Sequence, residues 1–145
     1  MDLRRLRAAD VFAGLFGAAL VGLLWAPWFE HATAWQAMAV NDVILFVAGL
    51  MGIWLFVGTM ASSTAAVPLT TSVFAALLGL LGSVLAVLRL IWPPDLGPGP
   101  TDLAWGAWAG TAAVIGLALS AGVAMRSERR TTIDIDAIPV TPAPS

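Results

Sequence analysis

Four apolar runs divide the chain, Val11 to Phe29, Val43 to Met60, Leu69 to Trp92 and Leu103 to Met125. Each is near the ~20 residues that an α-helix needs to cross ~30 Å of hydrocarbon. Only helices or closed barrels satisfy every backbone amide in lipid, and these runs are continuous rather than alternating, so the pattern predicts helices. The expected helices lie near residues 9–28, 42–60, 68–92 and 102–125. Together they make an all-α, four-helix transmembrane bundle as one domain over residues 1–125, with a tail over 126–145.

Polar and turn-forming residues gather where the runs break. The stretch WAPWFEHATAWQAMAVND, Trp25 to Asp42, holds Pro27, three tryptophans and most of the nearby polar chemistry, and reads as an extracytoplasmic loop. Asn41 or Asp42 can cap the second helix, where a carboxylate also suits the positive end of the helix dipole. Pro68 falls in the first turn of the third helix, where its missing N–H costs nothing. Pro93 and Pro94 stop that helix, and PDLGPGPTD leads to Thr101 or Asp102 as the cap of the fourth. Beyond Met125 the sequence RSERRTTIDIDAIPVTPAPS is polar and Pro-rich, which predicts a disordered cytoplasmic tail.

Charge orients these helices. Arg4, Arg5 and Arg7 precede the first run and Arg126, Arg129 and Arg130 follow the last, so the positive-inside rule places both termini in the cytoplasm. Trp25, Trp28, Trp35, Trp92, Trp105 and Trp108 all fall at the opposite, outer ends, as an interfacial aromatic belt would require, and only Trp54 is mid-span. The N-terminal arginines, the run Val11 to Leu24 and Ala32-Thr33-Ala34 also imitate a cleavable signal peptide. Two Trp, a Pro and a Glu before that site argue for retention of the first helix.

Composition narrows the chemistry. With 59% hydrophobic and 11% charged residues, the chain falls far below the roughly one-quarter charged residues of soluble domains. The absence of Cys removes disulfides, thiol redox chemistry and iron–sulfur ligation. A single His, His31, removes a bis-His haem bundle, so no cofactor is expected. A net charge of −2 and no basic patch leave no case for nucleic acid. Every basic side chain is Arg, a bias that fits a GC-rich bacterial genome and a multi-pass protein of the bacterial inner membrane.

Helix association in lipid depends on small residues that let backbones approach. Gly14, Ala18 and Gly22 form such a stripe on the first helix, Ala48 and Gly52 on the second, Ala75, Gly79 and Ser83 on the third, and Gly106 and Gly110 on the fourth. These seams predict a compact bundle, with self-association through Gly106 and Gly110 as the alternative. A faint repeat relates LLWAPW…AWQAMAV to LIWPP…AWGAWAG, as in transporters built of parallel repeats. Trp and Pro gathering at outer helix ends explains it equally.

Ionisable groups inside a membrane are the candidates for function. Arg89 is the clearest, about 4.5 Å inward of Trp92 at 1.5 Å per residue. Asp42, in the first turn of the neighbouring helix, matches its depth, so the two are expected to form a structural ion pair, with snorkelling of Arg89 to headgroups as the alternative. Asp10, Glu30, Asp42, Asp95 and Asp102 all lie at interfaces, and no acid occupies the middle of a helix. Glu30 and His31 are adjacent but cannot fill the four positions zinc takes, so no metal site is expected. Ser62-Ser63-Thr64 falls on the side opposite His31, which leaves no Ser/His pair and no catalytic residue. Thr131 and Thr132 after Arg129-Arg130 are a possible phosphorylation point, against simple anchoring of the arginines to anionic lipid.

WAPWF, WQAMAVND and RLIWPP together resemble a loose pattern of small four-helix integral membrane proteins of actinobacteria. The resemblance implies the topology and carries over no catalytic residue. The expected function is non-enzymatic: an accessory or scaffold subunit of a membrane assembly, in contact with lipid and with other membrane proteins or further copies of itself. The alternative is a small-solute transporter or channel acting as an oligomer.

Overall fold

The computed structural model describes residues 8–30, 32–37, 40–61, 66–95 and 101–136, with the side chains at 66–69 and 127–136 left aside. The chain forms α1 (Ala8–Leu23), β1 (Pro27–Phe29), β2 (Ala32–Thr33), a single-turn α2 (Ala34–Ala37), α3 (Val40–Ala61), α4 (Ala66–Ile91) and α5 (Trp105–Asp136). Three stretches are long and apolar enough to cross a membrane: Val40–Ala61, Thr70–Ile91 and Trp105–Arg126. The apolar helix α1 is shorter, at 16 residues. Its end is fixed by local chemistry. Leu24, Trp25 and Ala26 close a tight turn onto the Leu20, Gly22 and Leu23 carbonyls, and Pro27, which cannot donate a helical hydrogen bond, follows.

The four long helices pack as an antiparallel ring: α1 lies on α3 and α5, and α4 lies on α3 and α5. Small residues set the closeness of the crossings. A Cβ built on Gly17 would stand 2.6 Å from the Gly49 carbonyl oxygen, and one on Gly52 would stand 2.7 Å from that of Ala13. The α1 and α3 backbones therefore touch, with nothing between them. Gly14 receives Phe56, and Gly79 brings α4 against Ala118 of α5. Leu20, Leu45, Leu55, Val114 and Leu117 fill the remaining interior and are fully buried.

The α1 seam is therefore displaced from the expected stripe. Gly14 is buried, but Ala18 and Gly22 are exposed, and nothing lies within 4 Å of a Cβ added to Gly22. Gly17 takes the place of Ala18 because α1 presents the Ala13–Gly17–Leu20 face to α3 and α5, about 100° around the helix from Ala18.

Hydroxyls inside the ring are satisfied locally. Thr59, Ser83, Thr111 and Ser120 each donate to the carbonyl four residues earlier, at 2.7–2.8 Å. Bonded to their own helices, they add no polar link between neighbours. The outer faces carry exposed Phe12, Leu15, Leu50, Trp54, Phe74, Leu77, Leu80, Leu119 and Val123. So much contiguous apolar surface is foreign to a soluble monomer and is that of a multi-pass membrane protein.

Three boundaries differ from the sequence pattern. α1 ends at Leu23 rather than near residue 28, because the chain turns at residues 24–26 and Pro27 opens β1. α5 begins at Trp105 rather than near 102 because residues 102–104 are extended and paired. It also continues to Asp136, so the first part of the expected disordered tail is helical. Arg and Glu are good helix formers, and extending an existing helix avoids the cost of nucleation. Residues 137–145, including the tail's prolines, lie outside the described residues.

Candidate functional site

The ends of α1 and α4 and the starts of α3 and α5 meet at one end of the ring, and the loops there are folded together. β1 and β2 form an antiparallel hairpin with Pro27 opposite Thr33 and Phe29 opposite Ala32. Residues 102–104 pair with the other edge of β1 through the Phe29–Leu103 bridge, Glu30 N–H donating to Asp102 O (3.1 Å) and Ala104 N–H donating to Trp28 O (2.9 Å). The two loops at this end are thereby one unit. Thr101 Oγ1 donates to Pro94 O at 3.1 Å and tightens the second of them.

Trp28 is the anchor of this unit. It is 0% exposed, its indole lies against Gly110, and its Nε1–H donates to the Leu23 carbonyl at 2.8 Å. That bond gives the Leu23 carbonyl, which already accepts from Ala26 N–H, a second donor at the end of α1. Phe29 is buried beside it, and Gly106 meets the Pro27 carbonyl. Trp28 is thus a core residue rather than an interfacial anchor, because an indole N–H can be buried when it has an acceptor. Gly106 and Gly110 seat the hairpin, where the sequence pattern pointed to a helix–helix seam.

The other five tryptophans of the expected belt, Trp25, Trp35, Trp92, Trp105 and Trp108, are exposed. Trp25, Trp35 and Phe46 form an aromatic triad with ring centroids 5.7–6.5 Å apart, tying the end of α1, α2 and α3 together. Helix α2 begins with a half capping box, the Thr33 N–H donating to Gln36 Oε1 at 3.0 Å. The Thr-x-x-Gln spacing of Thr33 and Gln36 announces it in the sequence.

Asp42 differs most from expectation. In place of an interfacial, solvated acid, it is 0% exposed, and neither carboxylate oxygen has a hydrogen-bond partner among the described residues. Arg89 on α4 stands within electrostatic reach of it without hydrogen-bonding either oxygen. The two residues are brought to the same place but not into the expected bonded pair. Glu30, Asp95 and Asp102 at this end are exposed. At the opposite end Asp10 is buried in the first turn of α1 and is engaged in an interaction, as are Thr71 and Ser72 on α4.

Among the described residues no three His, Cys, Asp or Glu side chains are grouped as a metal site would require. His31 and Ser62-Ser63-Thr64 lie outside the described residues. Thr131 and Thr132 fall in the final turns of α5, where side chains are not described. Comparison of the chain with family models, curated proteins and solved structures finds no match.

Proposed function

We propose that the chain is an accessory or scaffold subunit of a bacterial inner-membrane assembly, without enzymatic activity. It crosses the membrane four times with both termini in the cytoplasm and the hairpin outside, α1 and the turn at residues 24–26 together making the first crossing. The observation that carries this reading is the α1–α3 contact, where Gly17, Gly49 and Gly52 bring backbones together and leave no solute path between these helices. A ring closed in this way, with broad apolar outer faces, is built to be packed against. Lipid and other membrane proteins, or further copies of the chain, are its partners.

The test is purification in a mild detergent after cross-linking in cells. A reproducible partner in fixed proportion supports the reading, whereas a lone monomer counts against it.

A carrier for a small solute is the second reading, favoured by the buried Asp42 beside Arg89, since ionisable groups within a membrane usually mark transport paths. Reconstituted vesicles that pass neither protons nor organic cations would remove it.

A further inference from the structure

Asp42 is fully covered by protein, yet neither of its oxygens accepts a hydrogen bond among the described residues. A carboxylate so placed must have its charge neutralised, because burying an isolated ionised group is among the costliest events in a protein interior. Three neutralising partners are available in principle: a metal ion, the Arg89 guanidinium or a proton. A metal ion needs several oxygen or nitrogen donors, and no group of three ligating side chains exists among the described residues. Arg89 is near but not bonded. The proton is the one partner that requires nothing further from the protein.

We propose that the Asp42 carboxyl group is a proton-binding site at the hairpin end of the helices, with Arg89 as the group that pairs with it once the proton leaves. The exchange balances simply: the carboxyl O–H bond breaks, the proton passes to water at that end, and the carboxylate left behind is met by the guanidinium already nearby. The site therefore has two arrangements, neutral and unpaired or ionised and paired. Its surroundings are otherwise quiet. α5 carries no ionisable residue from Trp105 to Met125, and the only one on α1, Asp10, is at the opposite end. Glu30, Asp95 and Asp102 at this end are exposed, and His31 adjoins the hairpin in sequence. The proposal holds for a scaffold and for a carrier alike.

The test compares the full-length wild type with Asp42→Asn and Arg89→Gln in detergent, following thermal unfolding from mildly acid to mildly alkaline pH. Asparagine copies the shape and neutrality of the protonated carboxyl and cannot ionise, while all other titrating groups are common to both chains. A proton held by the folded but not the unfolded chain makes stability fall as pH rises. The wild type should therefore match Asp42→Asn in acid and drop below it by roughly 5 °C in alkali. Arg89→Gln should widen that drop, because the ionised carboxylate then has no partner. A wild type more stable than Asp42→Asn by one constant margin at every pH overturns the proposal, since Asp42 would then be ionised and paired throughout.

Labelling with dicyclohexylcarbodiimide, which adds to protonated carboxyl groups in apolar surroundings, serves if Asp42→Asn fails to fold. An adduct at Asp42 that declines as pH rises is the expected result, and an adduct formed to the same extent at every pH overturns the site.

Discussion

The middle of the ring and its hairpin end are both held by glycines, but they use them differently. In the middle, Gly17, Gly49 and Gly52 let one helix backbone rest on another, and hydroxyls nearby turn back to their own helices. At the hairpin end, Gly106 and Gly110 receive a β-strand and an indole instead of a helix. Charged residues collect there too: Glu30, Asp42, Arg89, Asp95 and Asp102. The middle supplies closeness, whereas the hairpin end joins closeness to hydrogen bonding and to charge.

Substitutions at matched pairs of residues sharpen this contrast. The largest effect is expected at Trp28. Trp28→Ala removes a fully buried side chain and the bond to Leu23 O, and should cost about 3–5 kcal/mol in detergent unfolding, whereas Trp25→Ala, at an exposed position, should cost far less. Equal losses would mean that the hairpin is not seated in the core.

Next comes the helix seam. Gly17→Ala forces a Cβ onto the Gly49 carbonyl and should lose about 1–3 kcal/mol. Gly22→Ala meets nothing and should stay within about 0.5 kcal/mol of wild type. A smaller loss than at Gly17 is expected for Gln36→Ala, which removes half of a capping box and should cost about 0.5–1 kcal/mol. Faster amide exchange confined to residues 33–37 is the matching observation, and loss spread over the whole ring would show that α2 holds more than its own turn.

The helices were legible because their signal is long and redundant. Around twenty apolar residues in a run leave few alternatives, so the second to fourth runs match α3, α4 and α5 to within a few residues at their starts. The hairpin was not legible, since β1 and β2 are only three and two residues long. Its pairing with residues 102–104 joins segments far apart in the chain, which no local pattern records. Trp28 illustrates the limit. By composition it is one more tryptophan near a helix end, and only the acceptor at Leu23 O and the space at Gly110 distinguish it from the exposed Trp25.

Asp42 failed for a related reason. Its position at a helix start suggested solvation, but the packing of neighbouring elements decides burial, and that is tertiary information. The glycine stripe on α1 was ambiguous in the same sense. Gly14, Gly17, Ala18 and Gly22 are all small, and the face that meets α3 depends on how the helix is rotated.

The orientation of the ring in the membrane is the claim on which the proposed role rests, and site-directed labelling measures it directly. The chain has no Cys, so a single introduced cysteine is the only reactive thiol. Glu30→Cys, exposed beside the hairpin, should react with a membrane-impermeant maleimide in spheroplasts, and Ser127→Cys should react only after the membrane is opened. Labelling of both residues on the same side would mean an even number of crossings between them, and would contradict a four-span chain with its termini in the cytoplasm.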